Sequence, residues 1–435
     1  METTSLLLSS DNGSHAPSAK GVVTIANLFV ALQTAFLLFY LFGTTYSTET
    51  PYDVKTYIAF RDIMAMLLLG FGYLMTFLKN YGIGAVGFTM MLSILAMEAN
   101  IPMELIMRTL KGDDGEDTSW PMPLSMETLI DAEFSAATLM ISFGALIGTA
   151  TPLQMMLIAL SQSFFYALNK VFFVFGMVGA EDVGGSMTIH CFGAYFGLAA
   201  SLAMGRGRSD GKDRIKEELG TPEPDKVSDL MALIGTTILW VFWPSFVGAT
   251  ETATPEYEMR CVVHTITALL ASTTVTFYLS HRLCHGKFDP VHVANSTLAG
   301  GVAIGSAARL DLGGPGGAII VGMCAGAVSV YGYVYSSPYL ESSWHISDTC
   351  GVGNLHGYPS VVGALLSIVF VAMDSDAAFL EHGMLSQMIR QCLGLVATLI
   401  IAGTSGYATG WLVKPFKDEL GTPNYKDSVW WHLEY

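Results

Sequence analysis

The sequence predicts an all-α polytopic membrane protein of about twelve transmembrane helices. Charged residues make up 13% of the 435 residues and hydrophobic residues 51%, whereas a soluble domain carries about 25% charged residues. The chain also has 45 glycines, and glycine is commoner in membrane helices than in soluble ones. So few charges could not cover the surface of a soluble fold, and many membrane-spanning helices are therefore expected.

Each predicted span is an apolar run of about 20 residues, the length that crosses a bilayer core of about 30 Å. The runs are 22–43, 57–78, 82–106, 126–147, 152–173, 183–204, 229–249, 259–280, 290–308, 314–334, 353–373 and 387–410. The first is too long for a cleaved signal peptide and is kept as a helix. The first and last predicted spans divide the chain into a disordered cytoplasmic N-terminus (1–20), a transmembrane domain (21–410) and a soluble cytoplasmic tail (411–435).

Basic residues indicate the orientation, because cytoplasmic loops carry an excess of Lys and Arg. An even number of spans places both termini on one side. With that side in the cytoplasm, Lys79, the basic loop 206–226 and the tail lysines all fall inside, while the acidic loops 113–117, 251–258 and 374–381 fall outside. We expect a multi-pass plasma-membrane protein whose acidic outer face favours cations over anions.

Composition also argues against several classes of function. The net charge is −16 and no Lys/Arg stripe alternates with aromatic residues, so nucleic acid is not an expected partner. The six cysteines include no CxxC pair and most lie in apolar runs, which favours small core residues over a zinc site or a disulfide framework. No metal or cofactor is expected.

Two histidines in predicted helices stand out, because ionisable residues are costly inside a membrane and usually functional there. His190 follows Asp182 by eight residues, and His356 follows Asp348 by eight, with glycines between them in both cases. The two copies are 166 residues apart, which indicates an internal duplication.

The order of the spans predicts that the two copies meet. Spans two to six and seven to eleven form two sets of five, and an odd number makes the second set enter from the opposite face, leaving an extra helix at each end of this inverted repeat. Eight helical residues rise about 12 Å, which leaves the histidines about 6 Å apart in depth within a 30 Å core. We therefore expect the rings of His190 and His356 to touch. Asp182 and Asp348 lie about 80° around the helix from their histidines, so helix capping is their expected role, with cation attraction secondary.

A buried pair of imidazoles suits a small neutral solute. A neutral imidazole offers one N–H donor and one bare nitrogen, and apolar surroundings disfavour its charged form. Such a pair can hydrogen-bond ammonia or water, whereas an intact ammonium ion would first have to shed its hydration. The alternative is that each histidine only joins two helices by a hydrogen bond, which is the interpretation we give His264.

Several blocks together resemble the Rh branch of the ammonium transporter/Rh superfamily. They are 61–81 (RDIMAMLLLGFGYLMTFLKNY), 184–198 (GGSMTIHCFGAYFGL), 243–246 (WPSF), 295–305 (NSTLAGGVAIG) and 348–357 (DTCGVGNLHG). The extra first helix also fits Rh proteins better than bacterial ammonium transporters. The resemblance implies a homotrimer with one narrow hydrophobic pore through each subunit.

The resemblance further implies roles for particular residues. His190 and His356 correspond to the twin pore histidines, and Asp182 and Asp348 to the paired aspartates. Phe134 and Phe246 correspond to two stacked phenylalanines that form a gate at the outer mouth. Three positions depart from the pattern: Lys170 stands where an acid is frequent at the outer vestibule, Val247 where an asparagine is frequent, and Gly353 where a histidine is often found.

The expected function is channel-like transport of ammonium and ammonia across the membrane. Ammonium is recruited outside and loses a proton, and ammonia then passes the twin histidines. Conduction of carbon dioxide is one alternative, since it too needs only a narrow dry pore. Another is an ammonium sensor that signals through the C-terminal tail. An intramembrane metalloenzyme is disfavoured because each aspartate and its histidine lie about two turns apart and face differently, so the chain is not expected to be an enzyme.

Overall fold

The computed structural model describes residues 19–47, 54–78, 80–112, 119–205, 226–251, 254–374, 383–416 and 427–433. Within these ranges the chain is almost entirely helical, and eleven helices are long and apolar enough to cross a membrane. The predicted all-α polytopic class is confirmed. The loops 113–117 and 206–225, Lys79, and most of the segment 1–20 lie outside the described residues.

The elements are numbered here in chain order, with short π-helical turns counted inside the helix that contains them. The long helices are α1 (Ala19–Gly43), α2 (Val54–Phe77), α3 (Gly82–Lys111), α4 (Met126–Leu146), α5 (Pro152–Val178), α6 (Ser186–Met204), α7 (Lys226–Gly248), α8 (Pro255–Leu283), α11 (Pro315–Trp344), α12 (Gly353–Met373) and α13 (Met384–Val413). The short ones are α9 (Pro290–Ser296), α10 (Ala299–Ile304) and α14 (Asp427–Trp430). Strands β1 (Thr44–Tyr46) and β2 (Met122–Leu124) form one short parallel pair.

The expected span at 290–308 consists of two short helices, α9 and α10, and not of one continuous helix. The break lies at Thr297 and Leu298 and is followed by glycines that allow close approach of the backbone. A Cβ atom on Gly300 would collide with the backbone of Ala268 in α8, and one on Gly301 would lie 2.6 Å from the Trp243 indole nitrogen in α7. Apolar composition alone predicted the span, whereas this packing interrupts the helix.

Small residues hold the helices of the bundle together. A Cβ atom on Gly410 in α13 would lie 2.8 Å from the Cα atom of Ala200 in α6, and one on Gly326 in α11 would lie 2.8 Å from the Ser272 carbonyl oxygen in α8. Because lipid is as apolar as leucine, close van der Waals packing of this kind stabilises membrane helices against one another. The result is a bundle whose interior can be both dry and closely packed.

The end of the described chain packs onto the start of α3. The Asp427 carboxylate accepts hydrogen bonds from the Ile83 and Gly84 backbone N–H groups, at 3.0 and 2.7 Å. The Trp431 ring lies 5.5 Å from the Phe88 ring. The predicted tail at 411–435 therefore includes a segment that caps a transmembrane helix, and α13 itself continues to Val413.

Replacing Asp427 with alanine is expected to release this cap. The amide hydrogens of Ile83 and Gly84 should then exchange about tenfold faster, because a lost side-chain cap costs about 1 kcal/mol or somewhat more. Hydrogen exchange followed by mass spectrometry measures the effect. Val291 and His292, whose amides are capped by Asp289, provide an internal control that should not change. Equal exchange in the variant and the parent would show that the tail does not cap α3 in solution.

Candidate functional site

The structure places His190 and His356 in direct contact. Their Nδ1 atoms are 3.2 Å apart, the ring centroids are 5.2 Å apart and the planes differ by 13°. Both side chains are buried. Two nitrogens at this distance share one hydrogen, so one ring is the donor and the other the acceptor.

One histidine nitrogen is left over. The Nε2 atom of His190 is buried and has no hydrogen-bond partner within the described part of the chain. A buried polar atom without a partner is rare and needs an explanation such as a ligand or a water molecule. The pair therefore offers an open hydrogen-bonding position at the side of His190.

The same local backbone structure positions the two histidines. Each lies in a π-helical turn at the start of its helix, Ser186–Cys191 in α6 and Gly353–Gly357 in α12. Each turn follows a glycine in the left-handed region, Gly185 with φ 69° and Gly351 with φ 71°. Glycine adopts that conformation at no steric cost. The repeated Asp-to-His spacing thus corresponds to a repeated backbone motif.

The two aspartates hold these helix starts. The Asp182 carboxylate accepts hydrogen bonds from the Met187 and Thr188 backbone N–H groups, and Asp348 accepts from those of Val352 and Gly353. Burial raises the pKa of both carboxyls, to about 6 for Asp348, while the hydrogen bonds that they accept act in the opposite direction. Both carboxylates cap the first turn of the helix that carries a histidine.

Asp182→Asn is expected to destabilise the protein by about 1–3 kcal/mol, because an amide offers one acceptor oxygen where several donors converge. Those donors include the Ser306 hydroxyl as well as the groups of Met187 and Thr188. Thermal unfolding in detergent measures the loss. As a control, Asp311→Asn alters a carboxylate in an irregular turn and should change stability far less. Equal effects of the two substitutions would contradict a special role of Asp182 in holding α6.

Phenylalanine rings lie directly above the histidines. The Phe134 and Phe246 centroids are 4.9 Å apart with planes at 79°, and Phe246 lies 5.9 Å from the His190 ring. The expectation of stacked rings is therefore wrong: they meet edge to face, the arrangement that the ring quadrupole favours. Below the pair, Phe71 stacks on His356 with centroids 6.2 Å apart. We call Phe134, Phe246, His190, His356 and Phe71 the ring file.

An open cavity of about 500 Å³ leads to one end of the ring file. Phe134, Asp182 and Thr188 are among the residues that line it. Five of the lining residues are acidic (Glu127, Asp131, Glu181, Asp182 and Glu251) and three are basic (Arg108, Lys170 and Arg309). The excess of acids makes this vestibule attractive to cations.

Lys170, one of the three departures from the family pattern, is buried in an ion network at this vestibule. Its Nζ atom lies 3.1 Å from a Glu104 carboxylate oxygen and 2.7 Å from one of Asp131. Arg108 lies within 3.7 Å of the same two carboxylates. The lysine is thus neutralised by residues on α3 and α4, and it does not add an isolated positive charge to the vestibule.

A small cavity lies at the other end of the ring file, beside His356. It measures about 20 Å³, and Phe71, Asn295 and Leu355 are among its lining residues. A volume of this size holds one water-sized molecule, which needs about 10–15 Å³. The site therefore has a wide charged entrance, closed rings in the middle and a single-molecule pocket beneath.

The contacts of His264, Val247 and Gly353 are all within the protein and indicate roles in packing. His264 Nδ1 lies 2.9 Å from the Ala308 carbonyl oxygen, which satisfies that ring nitrogen without a ligand. Val247 is buried, and a Cβ atom added to Gly184 would lie 2.9 Å from its side chain. A Cβ atom on Gly353 would come within 3.1 Å of an Asp348 oxygen, so a side chain there would crowd the cap.

Sequence reasoning missed two parts of the site. Trp243 stacks beside His190 with centroids 5.6 Å apart, and its position three residues before Phe246 on α7 could have indicated a shared helix face. Arg309 forms ion pairs with Glu181 and Glu251 at 2.9 and 3.3 Å, on the rim of the vestibule. No sequence signal identified Arg309, because its partners come from two other loops.

Comparison with known proteins agrees with this geometry. The model of the Ammonium Transporter Family matches residues 19–425. The chain is similar to ammonium transporter Rh type B of Mus musculus, with 38% identity over 393 residues that cover 87% of this chain and 83% of that protein. It is also similar to the solved structure of Nitrosomonas europaea Rh50, a member of the Rhesus protein family of channels, with TM-score 0.73, 34% identity and coverage of 88% and 93%.

Proposed function

The chain belongs to the Rh branch of the ammonium transporter family, and from this we propose a conduction path for it. It is a membrane channel for ammonium or ammonia, a role that its relatives and the Rh50 channel structure support. In the proposed path, ammonium collects in the vestibule and gives up a proton there. Neutral ammonia then passes between Phe134 and Phe246, along His190 and His356, and out through the inner cavity.

The observation that carries the proposal is the contact between His190 and His356 in a buried, closed file. Within the described residues, the unpartnered Nε2 atom of His190 is free to hydrogen-bond a solute in place of water. An ammonium ion between apolar rings would lose most of its hydration without gaining a fixed counter-charge, which is strongly unfavourable. Ammonia avoids this penalty and can both donate and accept a hydrogen bond.

The proton left by ammonium stays on the side of the vestibule. The acidic excess there supports recruitment, because it raises the local concentration of cations before any of them reaches Phe134. Since only the neutral species crosses, transport carries no net charge. The substrate is moved without chemical conversion, so we assign no enzymatic role.

We further propose that the channel is a homotrimer in the plasma membrane, with both termini in the cytoplasm. The resemblance to Rh proteins supports the trimer. The basic residues on the face where α8 ends and α9 begins, which include Arg282 and Lys287, support the orientation. The vestibule then opens to the outside and the inner cavity to the cytoplasm.

Reconstitution into liposomes tests the conduction path. An inward ammonium gradient should raise the internal pH faster than in protein-free vesicles, and voltage-clamp recording should detect no accompanying current. Absence of both an accelerated pH change and a current would overturn the function. An inward ammonium current without the accelerated rise in pH would overturn only the passage of the neutral species, because an ion that enters with its proton does not raise the internal pH.

The docked tail favours a second candidate, an ammonium sensor that signals through its C-terminus. Asp427 and Trp431 bind that segment to α3, the helix that also carries Glu104 of the ion network at the vestibule. Deleting residues 427–435 distinguishes the two roles. Loss of a cellular ammonium response with flux unchanged would favour the sensor, whereas an unchanged response would exclude signalling through this segment.

Carbon dioxide, the other neutral gas considered, is tested in the liposomes used for ammonia. Its entry should lower the internal pH, the opposite of the change that ammonia produces.

A further inference from the structure

Three side chains with metal-binding atoms come together in the turn between α8 and α9, away from the ring file. They are Cys284, Asp289 and His292, and one ligand atom from each lies within 4.8 Å of the other two. The Cys284 Sγ atom is 3.9 Å from His292 Nδ1. His292 is buried, while Cys284 and Asp289 are partly exposed. The cluster is therefore formed inside the protein but is reachable from solution.

The backbone of the turn explains how these residues meet. His285 and Gly286 both adopt the left-handed region, with φ 54° and 81°, and the Gly286 amide donates to the His281 carbonyl oxygen. This reverses the chain within a few residues. The Asp289 amide then donates to the Ser280 hydroxyl at 2.9 Å, which fixes the start of α9 against the end of α8.

The donor set suits a divalent ion of the zinc class. Thiolate, imidazole and carboxylate are its usual ligands, and three protein ligands leave one position for water. A tetrahedral zinc ion holds a sulfur and a nitrogen ligand about 3.5 Å apart, given bonds of about 2.3 and 2.0 Å. The sulfur and nitrogen atoms here are 3.9 Å apart, so they need to approach by only a few tenths of an ångström.

A partner for the histidine is also in place. Ser280 Oγ lies 3.2 Å from His292 Nδ1 and accepts the Asp289 amide hydrogen, so its hydroxyl hydrogen is available to a bare Nδ1. A hydrogen bond of that direction favours the tautomer with a bare Nδ1, the atom that also lies 3.9 Å from Cys284 Sγ, and an ion would replace it. The turn brings together three ligand types that no CxxC spacing announces.

We propose that Cys284, Asp289 and His292 bind one divalent transition-metal ion of the zinc class. Binding releases the Cys284 thiol proton to solvent, because the thiolate is the ligand. The site lies on the membrane face that the inner cavity opens towards. His292 packs against the Tyr333 ring at 5.7 Å, and Tyr333 donates to the Cys350 carbonyl oxygen, next to the Asp348 cap.

Metal titration of the full-length protein in detergent tests the site. Protein stripped with a chelator should take up one zinc ion per chain, measured by competition with a chromophoric chelator. Cobalt in place of zinc should give a thiolate-to-metal charge-transfer band. Cys284→Ser and His292→Gln should each weaken zinc binding at least about tenfold, the scale on which a lost ligand or its support acts, and Cys284→Ser should abolish the cobalt band.

Neighbouring residues provide matched controls. His285→Asn removes an exposed histidine of the same turn and keeps a residue that tolerates a positive φ, so it should leave binding unchanged. Cys392→Ser removes an exposed thiol elsewhere. Absence of stoichiometric binding would overturn the proposal, and so would binding that His285→Asn or Cys392→Ser weakens as much as Cys284→Ser. Size-exclusion profiles of all variants establish that each is folded.

Discussion

Replacing His190 with leucine is expected to reduce ammonia flux by about tenfold to a hundredfold. The substitution removes the partner of His356, which lies 3.2 Å away, and the open Nε2 position from the middle of the ring file. A dehydrated solute that loses one hydrogen bond in an apolar passage is destabilised by about 1–3 kcal/mol, and each 1.4 kcal/mol is a factor of about ten in rate. Stopped-flow measurement of internal pH in liposomes, normalised to folded protein, gives the flux.

His264→Leu is the matched control for that experiment. This histidine is also buried, but its Nδ1 is bonded to the Ala308 carbonyl oxygen and it lies outside the ring file. The substitution is expected to lower the unfolding temperature while leaving flux per folded molecule close to that of the parent. If His190→Leu conducts as well as His264→Leu, the ring file is not the path of ammonia.

Lys170→Met is expected to reduce the free energy of unfolding by about 3–5 kcal/mol, the range for removing one member of a buried ion network. Its loss leaves Glu104 and Asp131 facing each other, with Arg108 as the partner that remains in their cluster. Arg108 lies 3.6 and 3.7 Å from them, compared with 3.1 and 2.7 Å for the lysine, so it compensates only in part. Chemical or thermal unfolding in detergent measures the change.

A surface pair provides the comparison for Lys170. Lys55 lies 3.2 Å from Glu258, a distance similar to that of the buried lysine from Glu104, but its side chain is 71% exposed. Lys55→Met should change stability by less than about 1 kcal/mol, because water and salt screen an exposed pair. Similar effects of the two substitutions would mean that the vestibule network is as well hydrated as the surface.

The encounter of the two histidines could be predicted from sequence because it follows from few quantities. His190 and His356 have the same spacing from their aspartates, and an odd number of helices sets the inversion between them, so the two copies approach from opposite faces. The assumed eight helical residues were too many, because the helices begin only at Ser186 and Gly353. The spacing and the number of helices can both be counted without knowing how side chains pack. The capping by Asp182 and Asp348 was predictable for the same reason, since a helix start is a local feature of the chain.

Other features depend on which surfaces meet in three dimensions. Lys170 is separated by 66 residues from Glu104 and by 39 from Asp131, so its neutralisation could not be read from neighbouring letters. The break at Thr297 depends on how closely α10 approaches α8. The edge-to-face contact of Phe134 and Phe246 depends on side-chain rotamers. The cysteine, aspartate and histidine of the α8–α9 turn required a reversal of the chain at His285.

The single hydrogen between the two Nδ1 atoms has a consequence for hydrogen ions. Suppose that a hydrogen ion binds to Nε2 of the ring that donates. The shared hydrogen then moves to Nδ1 of the second ring, and the second ring releases the hydrogen on its Nε2. Each imidazole has then exchanged its tautomer, and the entry nitrogen is already occupied. A second hop from the same side must wait until both tautomers are restored. The pair can therefore transfer one hydrogen ion in a given direction and no second one until both tautomers have returned. Ammonia carries its own hydrogens and leaves both tautomers unchanged.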